Sequence, residues 1–398
     1  MDNYRTETVS SNIIVYRWTI LLSLTFVIIM EFFVDNSTSR ILSVLALAFA
    51  YAISFLSNSF MGKVPRWLGI CAVIVVLCLL GSIFYPAEYS QSYGIQAFLI
   101  LFLLVNISYN SEYFVDDSAA YDLIYYVIFF LTIAYSLICY SKSGIDGIAN
   151  MLNDGNLTSV WWLLCFMLAL KRSHIIGIAI CLVYTFLINQ SRGFLLSFAV
   201  LILLLILKKV LPQVNDFLSR INFFYLFIIL TVLMIVFSFF WVFVVSAHGT
   251  VNYHEGLNDG SNRLRFIANV NAVYKLRDVE HTLFWGVGDG IYRYLGITGE
   301  TYASHTRMLG VRIVQPHNSI INLFLRIGLI PTIIYVYCLS QLLKSLNHEE
   351  NVAYIFSFII SAMFLPLLLS SGWLIAWFLV LLVPSRETKK IRVVWHKR

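Results

Sequence analysis

Few ionisable groups interrupt this chain, so the ones that do are where chemistry is sought first. The stretch Gly249 to His317 carries seven of the 27 Lys and Arg, namely Arg263, Arg265, Lys275, Arg277, Arg293, Arg307 and Arg312. With its flank at His248 it also carries five of the eight His. Gln315-Pro316-His317-Asn318 closes it. An imidazole at His317 can take or give a proton near neutral pH; the competing reading is an ordinary polar rim residue. Asn318, Asn322 and Arg326 follow at i, i+4 and i+8 and share one helix face. Arg326 would lie about 12–14 Å along that helix. A cation at that depth needs a partner and a wet or protein-lined surround, or else a structural ion pair, for example with Glu31. Gln190-Ser191-Arg192-Gly193 places a second Arg in a very short turn. There its planar fork suits a phosphate bidentately, or it binds a lipid headgroup.

These groups must be positioned by membrane helices. The 398-residue chain is 60% hydrophobic and only 12% charged, with mean hydropathy +0.81. A soluble domain carries about 25% charged residues. The expected fold class is an all-α polytopic membrane protein, because the alternation of a barrel is absent. A span needs about 20 apolar residues, and twelve stretches qualify: Ile13–Phe33, Ile41–Phe60, Trp67–Phe84, Tyr93–Ile107, Leu123–Tyr140, Val160–Leu170, Ile175–Asn189, Phe194–Leu207, Asn222–Ser246, Asn318–Leu343, Val352–Leu369 and Trp373–Val383. The polar start followed by a long apolar run reads as an uncleaved signal anchor.

Fifteen Lys and Arg fall in one set of short connections and tails, against Arg40, Lys142 and Arg192 in the alternate set. That asymmetry predicts both termini cytoplasmic and one large outer loop between the ninth and tenth spans. The expected organisation is residues 1–248 as spans one to nine, 249–316 as the periplasmic loop, 317–385 as spans ten to twelve, and 386–398 as a basic tail. ATP and sugar nucleotides are poor reactants outside the cell, so a group transfer there would need a pre-activated, membrane-borne donor. The net charge of +6 follows the topology and is no sign of nucleic acid. All six Cys lie in apolar runs, so neither a disulfide staple nor a thiolate metal site is expected in the loop.

Within the loop, Asn262–Leu276 reads as an amphipathic helix. Phe266, Ile267, Val270, Val273 and Tyr274 form one stripe, with Arg263 in its middle. Arg265 falls nearly opposite, with Asn269, Asn271 and Lys275 around the polar side. The stripe directs Arg263 inward and Arg265 toward water, unless Arg263 only snorkels at the rim. In Phe284-Trp285-Gly286-Val287-Gly288-Asp289-Gly290 the alternate glycines suit a tight turn more than an anion cradle. Asp289 is an outside candidate for a catalytic carboxylate. The loop histidines lack a tight ligand spacing, so no metal is expected.

Three pieces together resemble the O-antigen ligase and O-antigen polymerase superfamily of bacterial envelope glycosyltransferases. They are Ser191-Arg192-Gly193, then Arg263-Leu264 with Gly286-Val287-Gly288, then Pro316-His317-Asn318 with Gly328. The match covers about residues 190–331. Ile330-Pro331 stands where many relatives have a second Gly, which bears on the local helix geometry. The resemblance implies a cofactor-independent transferase in the inner membrane, acting periplasmically on undecaprenyl-diphosphate-linked glycans. It implies Arg192 and Arg263 on the donor diphosphate and His317 as the catalytic His. The residue reading adds Arg265, Arg326, Asn318 and Asp289 as candidate substrate contacts. The expected reaction is repeat-unit polymerisation, with a chain-length regulator and a flippase as pathway partners. The alternatives are a ligase that transfers glycan to lipid A-core, and a transporter of polysaccharide or lipid-linked sugar.

Overall fold

The computed structural model describes residues 2–34, 37–61, 66–81, 92–109, 118–152, 154–189, 191–241, 266, 268–270, 272–273, 286–288, 316 and 318–385. Among these every regular element is helical. Apolar runs in lipid must satisfy their backbone groups internally, and the helix does that within one segment. In order they form α1 (Asp2–Ile29), continued by a π-helical stretch Met30–Val34, then α2 (Ser37–Met61), α3 (Arg66–Gly81) and α4 (Ser92–Ser108). Then come α5 (Ser118–Ala149), α6 (Gly155–Arg172), α7 (Ile175–Val183) with a π-helical end Tyr184–Ile188, α8 (Arg192–Val210), α9 (Pro212–Ser219) and α10 (Phe223–Phe240). The C-terminal part adds α11 (Ser319–Ile327), α12 (Leu329–Ser345), α13 (Val352–Phe364) and α14 (Ser371–Leu382).

Among the described residues four helical segments are long and apolar enough to cross a membrane: Tyr16–Val34, Ala119–Ala149, Arg192–Val210 and Phe223–Phe240. Shorter apolar helical segments include Ile41–Ile53, Gly94–Ser108, Leu329–Ser345 and Val352–Phe364. One extended core runs through α1, α4, α6, α13 and α14, where Trp161, Tyr121, Phe98, Phe358 and Trp377 are fully buried.

The expected tenth span, Asn318–Leu343, is not one helix. Gly328, at φ 86 and ψ 165, separates α11 from α12. A straight continuation would put Ser319 and Tyr335 about 24 Å apart at 1.5 Å per residue. Instead, the backbone N–H of Leu368 donates to Ser319 Oγ at 3.4 Å. The Tyr335 hydroxyl donates to the carbonyl of the same Leu368 at 2.6 Å. The axis therefore turns sharply at Gly328, and distance along the chain no longer measures the depth of Arg326.

Two ends of the bundle are polar. At one, Lys171 Nζ donates to Asn351 Oδ1 at 2.6 Å and to the carbonyl of Val383 at 2.9 Å. Arg172 pairs with Asp122 at 2.6 Å. Asn347 donates to the Ser219 carbonyl at 2.6 Å, which brings the ends of α9 and α12 to the same level. From here α13 runs to Phe364 and α14 returns from Ser371 to Val383. With 13 and 12 residues, these helices are only about 20 and 18 Å long, against a hydrocarbon core of roughly 30 Å. Their connection, Leu365–Ser370, is non-helical apart from one 3-10 turn, and its Leu365, Leu367 and Leu368 are buried in protein, the condition under which irregular backbone is tolerated at membrane depth.

Candidate functional site

The opposite end of the bundle gathers the described candidate residues. Ser191 caps α8 by accepting from Phe194 N, and its own hydroxyl donates to Asn156 Oδ1 at 2.8 Å. Asn189 Oδ1 accepts from Ser191 N at 2.9 Å and from Ser159 Oγ at 2.6 Å. This network pins Ser191 from both sides, and Arg192, the first residue of α8, is exposed. Immediately after it, α8 packs on α13 through small residues. Ser361 Oγ meets Ser197 Oγ at 3.0 Å, Ser357 Oγ donates to the Ser197 carbonyl at 2.9 Å, and a Cβ on Gly193 would stand 3.6 Å from Phe364 Cβ.

The start of α11 meets the same stretch of chain. Asn318 is 1% exposed; its Oδ1 caps Ile320 and Ile321, and its amide faces Met363 Sδ at 3.4 Å. Ser319 Oγ donates to the Leu365 carbonyl and accepts from Leu367 N at 2.8 Å. Gly193, next to Arg192, and Asn318 thus lie against the consecutive residues Phe364 and Met363, although 125 positions separate them in the chain. The face shared by Asn318, Asn322 and Arg326 is an internal relay. Arg326 Nε donates to Asn322 Oδ1 at 3.0 Å, and Asn322 Nδ2 donates to the Pro316 carbonyl at 2.9 Å. Asn318 is committed to capping and packing, which positions its neighbours.

The glycine turn of the loop docks on the helix break. Val287 N–H donates to the Leu325 carbonyl at 2.8 Å. Gly286 has φ 59, and a Cβ there would lie 2.5 Å from Arg326 C and 2.6 Å from Arg326 O and Gly328 N. Only glycine allows this approach, so the turn reading of the alternate glycines is the one the contacts support.

The loop helix is buried more widely than its stripe implies. Val270 is 0% exposed, but Asn269, expected on the water-facing side, is 2% exposed and donates to Ser238 Oγ of α10 at 3.2 Å. Phe266 packs on Phe237 and Trp241, and Ala272 and Val287 join Ile321, Phe324 and Leu325 in a second small core. The reason is that α10 and α11 both contact its described residues, which puts Asn269 inside protein. Arg263, Arg265, Asp289 and His317 lie outside the described residues.

The sequence reading did not name Ser319, and it offered Glu31 only as an ion-pair partner for Arg326. Ser319 ties α11 to the α13–α14 connection. Glu31, in the π-helical end of α1, accepts from Ser370 Oγ at 2.7 Å. The signals were an acid at the end of an apolar run and the Ser370-Ser371-Gly372 interruption of another. Among the described residues no group of three or more His, Cys, Asp or Glu is placed to hold a metal ion. No protein-family model matches this chain, and neither the curated proteins nor the solved structures include a match.

Proposed function

We propose that this protein is a membrane-embedded glycosyltransferase that polymerises undecaprenyl-diphosphate-linked repeat units on the periplasmic side of the inner membrane. The supporting observation is the meeting of two distant chain segments: the start of α8 with Arg192, and the start of α11 with Asn318, both against Met363-Phe364. His317 adjoins Asn318 in sequence, and this reading makes it the base that serves the acceptor. Arg192 and Arg263 bind the donor diphosphate, with Arg265 or Arg326 adding charge stabilisation as it leaves. The acceptor hydroxyl oxygen attacks the anomeric carbon, the bond from that carbon to the diphosphate oxygen breaks, and the hydroxyl proton passes to the His317 imidazole. General base help of this kind is worth about 10²–10⁴-fold.

The α13–α14 connection, about 20 Å from the Lys171 level, favours a recessed site where a lipid-borne diphosphate and an aqueous glycan can both reach. A chain-length regulator and a flippase of the same pathway are the partners this reading calls for. Reconstitution with a defined lipid-linked repeat unit tests it. His317→Ala should insert and fold normally yet make no polymer. Wild-type chain lengths from that variant would remove His317 from the mechanism, and a strict requirement for lipid A-core would replace polymerase by ligase.

A further inference from the structure

We propose that Glu31, on the first helix, is a substrate-binding carboxylate that holds hydroxyl groups of the acceptor saccharide; this rests on the glycosyl-transfer reading above. A carboxylate within a bundle of membrane helices is costly and calls for a reason. Glu31 sits in the π-helical stretch Met30–Val34, a wider turn that shifts side chains out of the α register and recurs at functional sites. Ser370 stands at the N-cap of α14 but makes no side-chain cap there; its hydroxyl is given to Glu31 Oε1 instead. Gly372, in the first turn of α14, lets the carboxylate lie flush on the helix start. A Cβ there would be 2.9 Å from Glu31 Cδ and Oε2 and 2.7 Å from Phe32 Cε2.

Around it, Phe32 packs 4.6 Å from Trp161 and 4.8 Å from Trp373, and both Trp are buried. The carboxylate is therefore fixed in place rather than free to swing. Its place belongs to the candidate site. Ser370 closes the Leu365–Ser370 connection, and Ser319, one residue after Asn318, binds that connection at Leu365 and Leu367. The charges then divide the substrate. The arginines suit the diphosphate, which a carboxylate repels. A carboxylate oxygen accepts from neutral hydroxyls, as Glu31 Oε1 already does from Ser370.

The test uses the full chain in lipid vesicles with a lipid-linked repeat unit as donor and a water-soluble glycoside of the same repeat unit as acceptor. Two quantities are read: KM for the soluble acceptor, and inhibition by undecaprenyl diphosphate. Glu31→Gln keeps the size and removes the charge. The expected result is a rise of about 10- to 100-fold in acceptor KM, as for loss of a charge-assisted hydrogen bond, with undecaprenyl diphosphate inhibition unchanged. Ser370→Ala, which leaves the charge, should raise acceptor KM in the same direction by less. Unchanged acceptor KM in either variant overturns the proposal, and so does equal weakening of both readouts, which marks a structural role. Absence of transfer by the wild type overturns the glycosyl-transfer reading and this proposal with it, whereas an active wild type with a normal Glu31→Gln variant overturns this proposal alone.

Discussion

Replacing Gly286 by Ala is the sharpest probe of how the outer loop is joined to the bundle. Gly286 sits at φ 59, where an L side chain costs about 1–2 kcal/mol. The new Cβ would meet backbone atoms of Arg326 and Gly328 at 2.5–2.6 Å, and neither is the end of a flexible side chain that could swing away. The turn must lift, and lifting breaks the 2.8 Å bond from Val287 N–H to the Leu325 carbonyl. Both residues are 1% exposed, and an unmade buried backbone bond costs about 1–3 kcal/mol. Together the effect is on the order of 3 kcal/mol, or roughly a hundredfold in the opening equilibrium. Hydrogen–deuterium exchange in nanodiscs reads it directly. The Val287 amide should exchange about a hundredfold faster, with faster exchange also at 325–328, while α1 and α6 keep their protection. Gly69→Ala is the control: a Cβ on that helical glycine meets nothing within 4 Å, so it should be neutral or stabilising by up to about 1 kcal/mol. Wild-type exchange at Val287 in the Gly286→Ala protein would show that the turn is not seated on the helix break.

Two further outcomes follow from the hydrogen bonds at the two ends. Ser319→Ala removes one bond to the Leu365 carbonyl and one to the Leu367 amide, which keep their 2.8 Å bond to each other, and should lower stability by about 1–2 kcal/mol, read as a lower denaturation midpoint in detergent; an unchanged midpoint would mean the α13–α14 connection is held elsewhere. Asn351→Ala removes an acceptor for Lys171 and the amide bonds to Leu346 and Leu381, at a cost of about 3 kcal/mol. Lys171→Met, which removes the charge along with its need for partners, should cost less, and the reverse order would show that Lys171 is not the group those oxygens serve.

Some of this was written locally and some was not. An apolar run in a hydrocarbon surround has one economical way to satisfy its own backbone, so a helix stands at each such stretch whatever its neighbours are. The turn at Gln190–Gly193 and the interruption near Ser370 were equally legible, because polar and small residues break the runs there. Asn269 was misjudged, since its side of the loop helix is polar only by composition; α10 supplies Ser238 to receive it. The tenth apolar stretch carries a continuous helical pattern, and nothing in 318–343 taken alone says that Gly328 turns the axis. That turn is held by Tyr335 and Ser319 reaching Leu368, and by Gly286 filling the corner. Glu31 meets Ser370 across 339 positions. The sequence by itself determined the class of protein, the helices and the candidate reactive residues; the tertiary structure alone decided which of the described ones share a wall, because that depends on side chains that become neighbours only when the bundle closes.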